Sequence, residues 1–412
     1  MSTFTCPVVR VASVEDHPNA NRLSLVRLEG LGYTCISGKL EDGSPRYKAG
    51  DYVVYIPGAA VLPEYLLKEM DFWNEETGKG TLSGANGDRV KPLKLRGIFS
   101  EGVLYPATVK VVDSAEMMPD GYFRRYWQIG LGESTGKLIL RIMRVNDVAD
   151  IAGHDVSRDL GVTKYEPPIP VAMQGQVANL HGFTVGYDFQ RWESLPDIFD
   201  PGEHVVATEK LHGTCTSFRF IPGLNHSEMF GSNGEIIVYS KGLGAQGLAF
   251  KNVPENGSNL YVRQLNMLLD AGFESKLREL SNLNGGTPIT IIGETFGQGI
   301  QDLNYGFKEP EFRVFDIAIG TAWVDGSSMP GHAANLGLLP VPTVYDGEFD
   351  IAAIEQVRDG NTVLGGNNIR EGVVVRAVNT VDHQHHGRRI AKFISPAYLL
   401  RKSKNGETSE FT

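Results

Sequence analysis

The sequence predicts an α+β fold in two domains, the second built from antiparallel sheets and helices. Short alternating apolar runs separated by turns fill the first 110 residues or so, and a proline-rich stretch follows at 163–170. Beyond it, further alternating runs are interspersed with segments of helical character. A chain of 412 residues is long enough to bury two separate cores.

The amino-terminal part contains five short strand-like runs, at 8–14, 23–28, 33–37, 52–57 and 95–104. A helix is predicted at 63–70, between the last two of them. Five strands with one helix in that position predict a small Greek-key barrel of the OB type. OB faces bind single strands and helical RNA, but the same fold serves other ligands, so this prediction leaves function open.

The best linker in the sequence runs from Thr163 to Pro170 and contains three prolines. Proline fixes φ and removes a backbone donor, so this stretch must be extended. We therefore predict an OB-type domain with its linker at 1–170 and a second domain at 171–412.

Composition narrows the functional classes. Hydrophobic residues make up 41% of the chain and charged residues 21%, as in a globular protein. The three cysteines lie far apart, which excludes a zinc site of local spacing and favours a reducing, cytoplasmic location. We expect no membrane partner, since no apolar run reaches the length of a span and the amino terminus lacks a signal pattern.

The charge balance argues against nucleic-acid binding through bulk charge, because the formal net charge is −10. This negative net charge is still compatible with nucleic-acid binding in a local basic groove. The candidate residues are Arg89, Lys91, Lys94 and Arg96 in one half, and Arg388, Arg389, Lys392, Arg401, Lys402 and Lys404 in the other.

The stretch 205–218 places Lys210 in a tight turn between two strand-like runs. A lysine there either binds phosphate as a cation, attacks phosphorus as a neutral amine, or is an ordinary turn residue. With a reference pKa near 10.4, only about 0.04% of a free lysine is neutral at pH 7, a cost of about 4.6 kcal/mol. A nucleophilic role therefore requires neighbouring cations or a metal ion to lower that pKa.

Further segments carry the residue types that nucleotidyl transfer needs, in the order 239–242 (YSKG), 292–297 (IGETFG), 312–317 (FRVFDI), 370–376 (REGVVVR) and 388–393 (RRIAKF). Together with EKLHGT at 209–214, their order and spacing resemble the covalent nucleotidyltransferase superfamily. More narrowly, they resemble its ATP-dependent, nick-sealing RNA ligase family with an amino-terminal OB module.

The resemblance implies an adenylyltransferase domain at 171–412 that uses ATP and Mg²⁺ or Mn²⁺. Lys210 would form a lysyl–AMP intermediate with help from Lys392, and Glu371 would bind the metal ion. Glu294 would bind the ribose hydroxyls and Phe315 would stack on adenine. The implied cofactor-binding residues are Glu209, His212, Gly213, Lys241, Glu294, Phe315 and Lys392.

Two residues depart from the superfamily pattern. His212 stands where many members carry aspartate, so it either hydrogen-bonds the site or orients the nucleotide. Lys392 is flanked by Ile390 and Ile394, where a second lysine is common. The second cation of this motif is therefore either Arg389 or absent.

Two other patterns are assigned no function. Residues 242–247 match the dinucleotide fingerprint G-x-G-x-x-G, but the sequence predicts no clear helix after them. The histidines at 383, 385 and 386 could ligate a metal ion, but we interpret them as an exposed loop between two strands.

About twenty residues follow the last motif, too few for a second OB domain, which disfavours DNA ligases and capping enzymes. We therefore expect a monomeric RNA-repair ligase whose first domain engages nicked RNA or RNA/DNA. The alternative is a non-catalytic, OB-containing RNA-binding protein on a nucleotidyltransferase scaffold.

Overall fold

A computed structural model of the chain describes residues 4–117, 123–132, 137–142, 151–230, 235–378 and 381–401. Of the basic candidates, Lys402 and Lys404 lie outside this range. The chain divides into two compact units. Of the described residues, the amino-terminal unit comprises those within 4–167 and 193–196, and the carboxyl-terminal unit comprises those within 168–192 and 197–401.

One antiparallel sheet of seven strands dominates the amino-terminal unit, in the order β12-β11-β10-β4-β1-β2-β3. Its strands are β1 (Val8–Asp16), β2 (Leu23–Leu28), β3 (Thr34–Gly38), β4 (Tyr52–Ile56), β10 (Val103–Met117), β11 (Phe123–Leu131) and β12 (Lys137–Ile142). The remaining elements are β5 (Ala60–Val61), α1 (Glu64–Glu69), β6 (Trp73–Asn74), β7 (Lys79–Gly80), β8 (Leu93–Leu95), β9 (Ile98–Ser100), α2 (Ser157–Leu160) and β13 (Thr163–Lys164).

The seven strands do not form the closed sheet of an OB-type barrel in the described residues. A register shift between Val11 and Ser13 lets β1 pair with β4 through its first residues and with β2 through its last. Near the start of β10, Glu101 N donates to Thr34 O at 3.2 Å and Ile36 N donates to Ser100 Oγ at 2.9 Å. These two hydrogen bonds join the segment before β10 to β3, but the two do not form a continuous ladder of strand pairing.

Two local predictions in this unit agree with the structure. The predicted helix is α1, and it lies between β4 and β10. The proline-rich stretch begins as β13, which pairs with β5, and Tyr165 N donates to Ala59 O at 2.8 Å. The stretch is therefore extended, and its first residues belong to the amino-terminal unit.

Two antiparallel sheets form the carboxyl-terminal unit, one of seven strands (β14-β18-β17-β16-β19-β20-β21) and one of four (β22-β15-β23-β24). The strands are β14 (Val177–Asn179), β15 (His204–Lys210), β16 (Thr214–Phe220), β17 (Ile236–Ser240), β18 (Leu248–Phe250), β19 (Ile289–Phe296), β20 (Glu311–Ile319), β21 (Ala322–Trp323), β22 (Thr343–Glu348), β23 (Gly372–Ala377) and β24 (Ile390–Ile394). The helices are α3 (Ser227–Phe230), α4 (Lys241–Ala245), α5 (Leu260–Asp270), α6 (Phe273–Leu283), α7 (Met329–Asn335), α8 (Ile351–Arg358) and α9 (Pro396–Leu400).

The 242–247 fingerprint is followed by β18 and a 3₁₀ turn, so no α-helix begins directly after it, as the sequence predicted. A short helix that was not predicted, α4, instead overlaps the fingerprint, directly after β17. The Ser240 hydroxyl caps it by accepting from Leu243 N at 3.3 Å. Short 3₁₀ turns complete the description, at Val171–Met173, Trp192–Ser194 and Pro254–Asn256. None of the described helices has both the length and the apolar character needed to cross a membrane.

The largest hydrophobic core packs one face of the seven-stranded sheet of the carboxyl-terminal unit against α5, α6 and α7. Phe218 on β16 is fully buried in it, with its ring centroid 5.1 Å from that of Phe312 and 6.0 Å from that of Phe273. This packing holds the central strands, from which the polar side chains described below project.

We expect Phe218→Ala to lower the free energy of unfolding by about 3–5 kcal/mol, because it removes buried surface and leaves a cavity. Chemical denaturation of the full chain measures this loss. Phe183→Ala is the matched control, since Phe183 is 42% exposed and its removal should cost less than about 0.5 kcal/mol. Equal losses in the two variants would contradict the assigned core.

Candidate active site

The turn after Lys210 carries the chain from one sheet to the other. Lys210 is the last residue of β15 in the four-stranded sheet, and Thr214 is the first residue of β16 in the seven-stranded sheet. A Cβ atom at Gly213 would lie 2.3 Å from Thr295 O on β19. Glycine is therefore required at position 213, because a side chain would collide with the neighbouring backbone.

Lys210 forms an ion pair with Glu371, through Nζ and Oε1. The register of the sheet brings them together, since Lys210 lies opposite Gly372 on β23. The Glu371 side chain is only 2% exposed. Its other oxygen, Oε2, is buried, accepts no hydrogen bond within the described chain, and lies 3.9 Å from His212 Nδ1.

His212 is the centre of a buried hydrogen-bond network. Its Nε2 lies 2.6 Å from Asp302 Oδ1, and its Nδ1 lies 2.9 Å from the hydroxyl of Tyr398 on α9. Its backbone N donates to the Tyr305 hydroxyl at 2.6 Å. His212 therefore ties the nucleophile turn to α9 and to the segment around residue 302.

Asp302 supplies an anion beside His212. Although partial burial opposes ionisation, the hydrogen bond from His212 and the charge of Arg401 lower the pKa of Asp302 to about 2. Arg401 Nη2 lies 2.9 Å from Asp302 Oδ1. This carboxylate is thus ionised across the physiological range.

Glu294 lies on β19, opposite Cys215 of β16, and both residues are half-buried. Burial raises the pKa of Glu294 to about 8; Lys210 opposes this shift and Glu371 adds to it. Burial also raises the pKa of Cys215 to about 12, with Glu294 and the lysines at 210, 241 and 392 as charged neighbours. The charged groups that surround Cys215 are therefore those that the sequence motifs predicted.

Two further lysines share one carboxylate. Lys241 is the first residue of α4, and its Nζ lies 2.7 Å from Asp188 Oδ1. Lys392 on β24 approaches the same oxygen at 3.5 Å, and its Nζ lies 5.0 Å from the ring centroid of Phe189. Arg389, the predicted alternative second cation, instead pairs with Asp200 and Glu203. The cation beside Lys392 is thus Lys241.

Phe315 occupies an irregular position on β20. Ile292 pairs with Asp316 and Gly293 with Val314, so Phe315 is the extra residue of a β-bulge. A bulge changes the direction in which a side chain points. The ring of Tyr187 lies 5.6 Å from that of Phe315, and the Tyr187 hydroxyl donates to Asp316 Oδ2 at 2.7 Å.

Glu209 faces a different set of partners from Lys210. Its Oε2 accepts from Val363 N at 3.0 Å and lies 3.7 Å from Arg370 Nε, while its Oε1 is buried without a partner in the described residues. Burial raises the pKa of Glu209. The segment 362–370 therefore holds the Glu209 side chain. Glu209 and Lys210 have different partners because successive residues of a strand point to opposite faces of the sheet.

Residues 203–394 match the protein-family model of RNA ligases. This segment of the chain belongs to the RNA ligase family. No curated protein sequence matches the chain.

Solved structures of Naegleria gruberi RNA ligase are similar to the chain over nearly its whole length. A variant with ATP and Mn is 20% identical, with a TM-score of 0.66 and coverage of 96% of this chain and 98% of that chain. The ligase with PPi is 21% identical with the same TM-score and coverage, and an apo variant is 20% identical with a TM-score of 0.65. At this level of identity the likeness shows a shared fold.

Sequence reasoning missed four residues that contact the predicted site residues or motifs: Tyr187, Asp188, Asp302 and Tyr398. Each lies outside the recognised motifs and contacts a motif residue only through the tertiary fold. Asp188 and Tyr187 come from the stretch before β15, where the sequence shows no periodic pattern. The helix that carries Tyr398 could have been predicted from Ser395-Pro396, a sequence typical of a helix start.

The raised pKa of Glu294 predicts a pH-dependent effect of Glu294→Gln in the nucleotide- and metal-free protein. A carboxyl whose folded pKa is about 8 rather than 4.5 must ionise unfavourably as the pH rises, so the wild type loses stability across that range. Glutamine cannot ionise. The variant should therefore gain in melting temperature relative to the wild type between those two pH values, and the gain should level off above about pH 8.

Thermal melts across this pH range measure the effect. Glu279→Gln, on the exposed face of α6, is the control and should shift the melting temperature equally at every pH. A Glu294→Gln difference that does not grow with pH would contradict the assigned burial of the carboxyl.

Proposed function

We propose that the chain is an ATP-dependent RNA ligase that seals 3′-hydroxyl and 5′-phosphate ends through a covalent lysyl–AMP intermediate. The observation that carries this proposal is the ion pair of Lys210 with Glu371, beside Glu294, in a segment of the RNA ligase family. The lysines and carboxylates of the candidate site match what adenylyl transfer requires: a nucleophilic amine, cations for phosphate and acidic ligands for a metal ion.

In the first step, the lone pair of Lys210 Nζ attacks the α-phosphorus of ATP. The N–P bond forms, the bond between the α-phosphorus and the bridging oxygen breaks, and pyrophosphate leaves with that electron pair. The amine must first release its proton to solvent, and the ion pair with Glu371 stabilises the charged form that cannot attack. Adenylylation therefore requires that Glu371 be engaged by another cation.

Glu371 fits such a cation. The buried Oε2 of Glu371 accepts no hydrogen bond from the described residues and is available for a ligand, and carboxylate oxygens suit Mg²⁺ or Mn²⁺. Once bound, the ion would compete with Lys210 for Glu371 and neutralise charge on the α-phosphate. Structures of the Naegleria ligase contain Mn with ATP or AMP, which supports the same cofactors here.

Nucleotide binding is assigned to residues around the nucleophile turn. Phe315 would stack on adenine and Glu294 would accept from the ribose hydroxyls. Lys241 and Lys392 would bind phosphate oxygens, in exchange for the carboxylate of Asp188 that they now share. Gly213 permits the turn, His212 holds it, and Glu209 supports the adjoining 362–370 segment.

In the second and third steps, AMP moves from Lys210 to a 5′-phosphate, and a 3′-hydroxyl then displaces AMP and closes the phosphodiester. Positioning and charge neutralisation dominate such transfers, so no strong general base is required. We assign binding of nicked RNA or RNA/DNA to the amino-terminal unit. Its bent β1 and its helix between β4 and β10 support an OB-type architecture. We further propose that the enzyme is a cytoplasmic monomer that acts in RNA repair.

Lys210→Ala should abolish transfer of label from α-labelled ATP to the polypeptide in the presence of Mg²⁺, because no other residue is proposed to attack phosphorus. Acid-stable label on the denatured chain is the measurement. Lys308→Ala, a change at an exposed lysine, is the control and should label like the wild type. An unlabelled wild type would favour the non-catalytic RNA-binding alternative, and label retained by Lys210→Ala would assign the nucleophile elsewhere.

The same Lys210→Ala variant should still seal a nick whose 5′-phosphate already carries AMP, since the last step does not use the lysine amine. Sealing of a pre-adenylylated nicked RNA duplex without ATP measures this step by the lengthened strand on a gel. The matched substrate with a 5′-hydroxyl should remain unsealed. Failure of both wild type and variant on the pre-adenylylated nick would contradict end joining while leaving lysine adenylylation untouched.

A further inference from the structure

The connection between β23 and β24 carries a cluster of potential metal ligands that the proposed ligase chemistry does not use. Asp197, His383 and His386 each offer one ligand atom, and these atoms all lie within 4.8 Å of one another. Among the residues that the structure describes, this is the one group of three or more His, Cys, Asp or Glu ligands so arranged. We refer to it as the 197/383/386 cluster.

A tight backbone turn holds the two histidines close together. His383 N donates to Gly387 O at 2.6 Å, and Gly387 N donates to His383 O at 3.0 Å. Gly387 has a φ of +69°, which favours glycine at the end of this turn. The imidazole rings of His383 and His386 consequently stack, with centroids 4.5 Å apart and an interplanar angle of 13°.

Asp197 reaches this pair from a part of the chain nearly two hundred residues earlier. Its Oδ1 lies 3.1 Å from His386 Nε2. An ion pair would explain why Asp197 and His386 are close. It would not explain why the imidazole of His383 also lies near the same carboxylate. Two imidazoles and one carboxylate are a common ligand set for transition metals in proteins.

We propose that Asp197, His383 and His386 bind a divalent transition-metal ion such as Zn²⁺. Imidazole nitrogens suit this class of ion better than they suit Mg²⁺, so the cluster and the proposed ATP site differ in metal preference. Ligand distances of about 2.0–2.2 Å require the three groups to close slightly, and water would complete a tetrahedral site. The Asp197 side chain is 68% exposed, which gives an ion direct access from solvent.

Such an ion would have a structural consequence for the ligase segment. Asp197 precedes β15, which ends at Lys210, while the two histidines lie between β23 and β24, which carries Lys392. A metal ion would thus cross-link the approach to the nucleophile strand to the hairpin beside it. Because binding occurs only in the folded state, it should raise the stability of the chain.

The test is isothermal titration calorimetry of the full chain with Zn²⁺. Excess Mg²⁺ is present so that it occupies oxygen-rich sites. We expect one ion per chain and a rise in melting temperature with Zn²⁺. His383→Ala and His386→Ala should each weaken binding by at least about tenfold, and the double variant should lose it. Asp197→Asn, which preserves side-chain size, should weaken binding to a similar degree.

His385→Ala is the matched control, because His385 belongs to the same turn but its ring lies 6.0 Å from that of His383 and 6.5 Å from that of His386. This variant should bind Zn²⁺ like the wild type. Metal-free thermal melts establish that every variant is folded. Absence of Zn²⁺ binding by the wild type, binding that survives in the double variant, or equal loss in His385→Ala would each overturn the proposal. None of these outcomes bears on lysine adenylylation, which is measured separately.

Discussion

The register of the four-stranded sheet is the constraint on which the candidate active site depends. Lys210 lies opposite Gly372, and Gly372 lies opposite Ile394, so three distant motifs meet on adjacent strands. Gly372 permits this, since a Cβ atom there would lie 2.2 Å from Phe393 O. A slip of one residue in this sheet would turn Lys210 to the opposite face and separate it from Glu371.

The lysines of the candidate active site are balanced by neighbouring carboxylates. Lys210 is matched by Glu371, and Lys241 and Lys392 are matched by Asp188. Glu294 keeps its proton more readily than an exposed glutamate, since its pKa is about 8. Each of these three lysines thus has a carboxylate partner, and under the proposed function a nucleotide phosphate would exchange with that partner on binding.

Local sequence predicted the features that depend on neighbouring residues. The strand–turn–strand around Lys210 and the helix at Glu64–Glu69 follow from apolar alternation and from flanking turn residues. The described residues do not show barrel closure, and the short helix at Lys241–Ala245 was not predicted. Closure depends on pairing between β3 and β10, which are remote in sequence, and α4 is a five-residue helix with two glycines that propensity disfavours.

What the sequence by itself determined is the set of chemical groups: the lysine in EKLHGT, the later carboxylates and lysines, and their order, which resembles that of RNA ligases. Only the tertiary structure decided which of them meet. It paired Lys210 with Glu371, replaced Arg389 by Lys241 as the cation beside Lys392, and brought Asp302 to His212 and Asp197 to His386. The physical reason is that such pairs join residues about fifty to nearly two hundred positions apart, and no local periodicity or propensity encodes a contact across that distance.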